Sequence, residues 1–218
     1  MKRIPEPELM DSPEQVKAYA DEDFSAAHDQ LVAGFVERFP GVGPETLLDL
    51  GCGAADVTLR FARRFPQAAI VGLDAGSNML ARARLEVAAA GLEDRVSLLQ
   101  AHLPDHALLP KCFDAIVSNS LLHHLSDPSV LWASIKTSGR VGAAVAVMDL
   151  LRPEGETKLA ELVEMYAASA PPLLKQDFSH SLAAAYDINE IEAQLEIAEL
   201  NLSVEAISDR HVLVWGYL

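Results

Sequence analysis

The stretch LLDLGCGAADVT, residues 47–58, restricts the fold more than any other part of the chain. An apolar run carries Asp49, turns through Gly51 and Gly53, and opens onto a helical pattern in which Val57, Phe61 and Phe65 share one face. A strand that passes through a glycine turn into a helix is the opening unit of a parallel α/β sheet. The helix start also presents unsatisfied backbone N–H groups to whatever ligand sits at the turn.

The rest of the chain repeats the alternation. Strand-like runs lie near 45–51, 68–74, 95–101, 113–119 and 142–150, apolar on both faces, as parallel strands covered by helices on each side must be. Leu80, Ala83 and Val87 form a helical face between the second and third runs, and Gly91 stops that helix. The expected fold is α/β: a Rossmann-like, doubly wound sheet with helices on both faces. At 218 residues, half of them hydrophobic, the chain suits one large domain.

Its ends extend that domain. Residues 1–40 read as an N-terminal helical cap, with Ser12 capping a helix that Pro13 opens, and Leu31, Phe35 and Val36 forming a stripe. Residues 45–150 are the core, and 151–186 are a mostly helical insertion broken at Pro171 and Pro172, a candidate substrate lid. Residues 187–218 hold a last helix, marked by the capping box of Asp187 and Glu190, and then a hairpin. Two strand-like runs joined by the short DR turn must pair antiparallel, so one strand of a mostly parallel sheet is reversed.

The turn itself selects its ligand. A dinucleotide fingerprint would place its third glycine at position 56, and this chain has Asp56 there, a negative charge where a diphosphate would sit. A ligand without phosphates fits, and S-adenosylmethionine has an adenosine, an ammonium, a carboxylate and a sulfonium. Gly51 and Gly53 allow close approach of the backbone, Asp49 supplies negative charge near the ammonium, and Asp74, ending the second strand, can accept from the ribose hydroxyls. The formal charge of −15 disfavours nucleic acid and anionic membranes as partners. No apolar run is long enough to span a bilayer, and two cysteines with no apparent signal segment suggest a cytoplasmic protein.

The segments LLDLGCGAADVT, AAIVGLDAGSNML, VSLLQAHLP, FDAIVSNSLLHHLSDP and VMDLLRP, with the terminal hairpin, resemble the class I S-adenosylmethionine-dependent methyltransferases. The resemblance covers most of residues 45–152 and implies a seven-stranded sheet with a reversed seventh strand. It implies that Asp49, Gly51, Cys52 and Gly53 border the methionine end, Asp74 the ribose, Ala75 and Met79 the adenine face, His102 and Leu103 its edge, and Asn119 the sulfonium end. Two departures stand out: Ala55 replaces the family's usual third glycine, and His102 stands where an aspartate often precedes the adenine contact. The family's cysteine at position 52 serves packing.

The implied activity is in-line methyl transfer to a small-molecule acceptor through oxygen, nitrogen, sulfur or carbon. The alternative is a catalytically silent cofactor-binding subunit that regulates or scaffolds a partner. His123 and His124 follow the fourth strand at its carboxyl end, where a histidine can take a proton from a nucleophile or hydrogen-bond to backbone. His180 is a weaker catalytic candidate. Tyr19, Phe24, Tyr166 and Phe178 are candidate acceptor-pocket walls that suit core packing equally. No metal is expected, because adjacent histidines seldom face one ion and no further ligand recurs at the right spacing.

Overall fold

The computed structural model describes residues 1–7, 9–104 and 112–218. After an N-terminal stretch without helix come α1 (Pro13–Asp21) and α2 (Ser25–Arg38), then the alternating core of β1 (Thr46–Leu50), α3 (Asp56–Arg64), β2 (Ala69–Asp74), α4 (Ser77–Ala89) and β3 (Val96–Gln100). It continues with β4 (Phe113–Asn119), a short 3-10 turn (Leu122–His124), α5 (Ser129–Ser138) and β5 (Gly139–Leu150). The last elements are α6 (Glu156–Ala167), α7 (Pro172–Ala184), α8 (Ile188–Ala198), β6 (Ser203–Ala206) and β7 (His211–Tyr217).

The local signals act as read. Ser12 Oγ accepts from Gln15 N at 3.2 Å, and Pro13 opens α1. At α8 the box is reciprocal: Asp187 accepts from Glu190 N at 3.0 Å, and Glu190 accepts from Asp187 N at 3.1 Å. Arg152 then pairs with both carboxylates, at 2.6 and 2.8 Å, and ties the end of β5 to that helix start. Pro171 and Pro172 separate α6 from α7, with Pro172 as the first residue of α7, where its missing N–H is harmless.

The seven strands lie in the order β3-β2-β1-β4-β5-β7-β6. β1 to β5 are parallel, and β7 runs antiparallel to both β5 and β6. The strand order reverses beside β1, so the carboxyl ends of β1 and β4 flank a crevice where α/β folds bind ligands. Alternation sorts side chains between two cores. Leu47, Ile70, Ala115, Val117, Ala146 and Met148 face one, with Phe35, Phe39, Phe61 and Phe65 from α2, α3 and the residues that follow each. Leu48, Leu50, Ile116, Val145 and Val147 face the other, against Trp132, Ile135, Ile191 and Leu195.

β5 begins at Gly139, earlier than the apolar run from 142, because the β4 pairing slips from Phe113–Gly139 to Ala115–Ala144 and takes up extra residues in an irregularity. A third, smaller cluster of Leu150, Leu162, Val163, Leu182 and Ala185 seats α6 and α7 on the end of β5. Among the described residues, no helix is long and apolar enough to cross a membrane.

Phe61 is fully buried, with its ring edge-on to Phe35 at 5.4 Å between centroids. Phe61→Ala should cost about 3–5 kcal/mol, read as a lowered urea midpoint with an unchanged slope. A loss under about 1 kcal/mol would show that the cluster collapses to fill the space.

Candidate active site

The glycine turn is wired to the neighbouring strand by backbone bonds. Gly51 N and Cys52 N both donate to Leu73 O, at 2.8 and 2.9 Å, and Gly53 N donates to Asp74 Oδ2 at 2.8 Å. Gly51 has φ +75°, and a Cβ there would meet Leu121 at 3.0 Å, so this position needs glycine for both conformation and space. Ala55, in the place of a third glycine, adopts φ +70° and carries the strain an L-residue bears there. Cys52 turns inward against Gly72 and is buried, and burial pushes its thiol well above the ordinary value, which makes it packing and not a nucleophile.

Asp49 is completely buried. Thr58 Oγ1 donates to its Oδ2 at 2.6 Å, while Oδ1 has no hydrogen-bond partner among the described residues. Burial, then the Asp74 charge against the Thr58 bond, pushes Asp49 up to about 7. Asn119 ends β4 with its Nδ2 on Ser120 Oγ at 3.2 Å and its buried Oδ1 likewise lacking a donor among the described residues. In the β1–β4 register Asp49 pairs with Val117, so Asn119, two residues on, projects to the same sheet face. Asp74 accepts from Gly53 N and Gly76 N on separate oxygens, each retaining a lone pair for a further donor. Burial raises its pKa, and those two backbone bonds oppose the rise.

The carboxyl ends of β4 and β5 carry a buried polar cluster. His123 Nδ1 meets Asp149 Oδ1 at 2.5 Å, and Asp149 also accepts from Leu122 N and Leu150 N, both at 2.7 Å. Burial would lower the His123 pKa, but the charge and bond of Asp149 outweigh it and raise it. His124 is held down at about 3 by burial and then by the neighbouring His123.

The residues before α1 lie across this cluster, and no sequence periodicity marks them. Arg3 donates to Ala184 O at 2.6 Å and to His123 O at 2.9 Å, with its guanidinium 4.0 Å above the Tyr186 ring. Ile4 N donates to Ala183 O at 2.9 Å. Glu6 comes within 3.4 Å of His123 and 3.3 Å of His124. Asp11 Oδ1 accepts from Asn78 N and Met79 N, both at 2.9 Å, and so caps α4, whose own N-cap, Gly76, has no side chain to do it. Charges and caps of this kind could have been found only by asking which carboxylate serves a helix that begins with glycine.

Tyr19 stacks on Phe24 at 4.5 Å, and Phe24 lies 5.8 Å from His28, whose Nδ1 faces the Asp56 carboxylate. These residues, with Ala54 and Arg60, line a cleft of about 220 Å³ beside the glycine turn. Burial, then the Asp56 and Asp74 charges, pushes Tyr19 up to about 12. The His28–Asp56 pair had no sequence signal, and its hydrogen bond holds Asp56 at about 2. Tyr166 Oη donates to Asp209 at 2.8 Å, with the Arg210 guanidinium over its ring. Phe178 packs into the α6–α7 cluster, and His180 is exposed. Met79 is buried and Ala75 half-buried next to Asp74, while His102 is exposed beside the half-buried Leu103.

A profile described as a methyltransferase domain matches residues 47–141. An uncharacterized methyltransferase of Mycobacterium tuberculosis is 30% identical over 141 residues, 64% of this chain and 68% of the relative. A trans-aconitate 2-methyltransferase of Methylobacterium radiotolerans is 35% identical over 144 residues, 56% of this chain and 55% of that protein. The crystal structure of a SAM dependent methyltransferase from Aquifex aeolicus shares the fold, with a TM-score of 0.68 at 19% identity over 94% of this chain and 97% of that one. Fold and relatives together define a methyltransferase. The chain belongs to the class I S-adenosylmethionine-dependent family, and S-adenosylmethionine is its cofactor. The residues at the turn fit that group, since buried acceptors lacking a donor suit an ammonium and a glycine cradle suits close backbone contact.

The Asp49 shift has a measurable consequence. An unfolded chain releases this proton near 3.8 and the folded chain near 7, so the folded state binds the extra proton between those values and loses stability as pH rises through that window. Asp49→Asn removes the titration and keeps the Thr58 bond. Its melting temperature should gain on the wild type from pH 4 to 7 and run parallel above. Parallel curves across the whole range would mean that Asp49 titrates normally.

Proposed function

We propose that this enzyme methylates a small molecule by in-line displacement at the carboxyl ends of β1 and β4. The observation that carries this reading is the pair of buried acceptors without donors, Asp49 Oδ1 and Asn119 Oδ1, on one face of the sheet beside the glycine turn. When bound, the cofactor supplies a methyl group on a positively charged sulfur that leaves readily. The chain's own part is to hold the ends in line. Asp49 takes the ammonium, Asn119 lies toward the sulfonium end, the Gly51 and Gly53 backbone lies along the methionine portion, and Asp74 accepts from the ribose hydroxyls. Ala75 and Met79 pack on adenine, with His102 and Leu103 at its edge. Orientation of this kind supplies roughly 7–11 kcal/mol of a bimolecular barrier, so a dedicated base is optional.

A compact acceptor suits the cover, in which Arg3 and Asp11 bond to the end of α7 and the start of α4, and the α6–α7 pair is seated on the end of β5. The relative named for trans-aconitate supports that size class. The chain's charge of −15 disfavours nucleic acid as acceptor, and a cytoplasmic setting completes the reading.

Methyl-labelled cofactor incubated with the enzyme and a metabolite extract should place label in a small molecule by mass spectrometry. Label only in macromolecules would overturn the acceptor class, and label nowhere would favour a silent cofactor-binding subunit. Asp74→Ala should weaken S-adenosylhomocysteine binding by about ten- to a hundred-fold, since charge-assisted hydrogen bonds contribute roughly 1.5–3 kcal/mol each. Unchanged affinity in a calorimetric titration of a folded variant would remove Asp74 from the site.

A further inference from the structure

We propose that Glu6, His123 and His124 form a binding site for a divalent first-row transition-metal ion of the zinc type. Among the described residues, these three place one ligand atom each within 4.8 Å of one another. The proposal does not depend on the methyl-transfer reading.

The hydrogen bonds around the cluster decide which ring nitrogens face inward. Asp149 is fixed by two backbone N–H groups and takes His123 Nδ1, so the proton on that ring sits at Nδ1 and Nε2 turns to Glu6. His124 bonds to the backbone of Pro7, which has no N–H, so the ring is the donor and the Pro7 carbonyl the acceptor. His124 Nδ1 has no hydrogen-bond partner among the described residues, so Nε2 makes that bond and Nδ1 presents a lone pair. The third group is Glu6 Oε1, also without a hydrogen-bond partner among the described residues, on a side chain only 7% exposed. Two imidazole lone pairs and a carboxylate oxygen therefore converge in a dry place, an arrangement that a cation stabilises.

Both separations from Glu6 fit a shared ion. Glu6 Oε1 lies 3.4 Å from His123 Nε2 and 3.3 Å from His124 Nδ1. Imidazole and carboxylate ligands about 2.0–2.2 Å from a tetrahedral zinc stand roughly 3.3–3.6 Å apart. Asp149 behind His123 is the carboxylate that orients a metal-bound imidazole and strengthens it as a ligand. Three protein ligands leave a fourth coordination position open. Adjacent histidines meet one ion here because the 3-10 turn stacks their rings at 4.2 Å and because the third ligand arrives from the distant N-terminal segment. The competing occupant is a single proton shared by Glu6 and a histidine, which can satisfy one of the two contacts and not both.

The test uses the full chain stripped with EDTA and titrated with zinc alone. One ion per chain should bind saturably and raise the melting temperature, and cobalt in its place should give the visible bands of a low-symmetry site. Glu6→Gln and His124→Gln should each weaken zinc by more than the ~10- to 100-fold typical of losing an outer-shell partner. S-adenosylhomocysteine binding and melting in EDTA show whether each variant is folded. Should either fail to fold, X-ray absorption of the wild-type zinc complex must show two imidazoles. Absence of saturable binding, wild-type affinity in folded variants, or a zinc shell without two imidazoles would overturn the site.

Discussion

The carbonyl of Leu73 is the point on which the site turns. By accepting from both Gly51 and Cys52 it fastens the end of β1 to the end of β2, and Asp74, the next residue, accepts from Gly53. Three consecutive N–H groups of the turn are thereby committed before any ligand arrives. The start of α3 and the Asp74 carboxylate consequently keep a fixed relation to each other. Such preorganisation spares the binding step the cost of ordering a loop.

Acceptors predominate among the polar groups gathered at the strand ends. Asp49, Asp74, Asn119, Asp149 and Glu6 are carboxylates or an amide oxygen in surroundings that exclude water, and burial raises Asp49, Asp74 and Glu6 above their usual values. A recess lined in this way rejects phosphates and favours positively charged partners. The ammonium and sulfonium of the cofactor would meet that requirement at the proposed site beside β1, and a metal ion would meet it at the proposed site after β4. One electrostatic preference thus accounts for the absence of a dinucleotide signature and for the histidine–glutamate cluster alike.

Periodicity and turn chemistry carried most of the fold. Val57, Phe61 and Phe65 had to face a sheet, Asp187 and Glu190 had to cap α8, and a short link, four residues long in the structure, had to make β6 and β7 antiparallel. Asp49, Gly51, Gly53 and Asp74 were legible because strand, turn and helix bring them together within one βαβ unit. The cover was not legible. Arg3 reaches a carbonyl 181 residues away and Asp11 caps a helix 67 residues on, and contacts of that span leave no local pattern. Tyr166 and Phe178 look like pocket walls by type, and in the structure one bonds to Asp209 while the other packs against the α6–α7 cluster. His28 and Asp56 lie on different helices, and only the docking of α2 against α3 makes them partners.

The N-terminal segment also imposes an order of assembly. Its anchors, the Ala183 and Ala184 carbonyls and the backbone of the turn at His123, exist only once α7 and the β4 end have been placed, and closing so long a loop yields nothing until then. The cover therefore docks late in folding. Among the described residues it is held by the side chains of Arg3 and Asp11 and the backbone bond of Ile4, a far sparser set of bonds than the sheet ladders have.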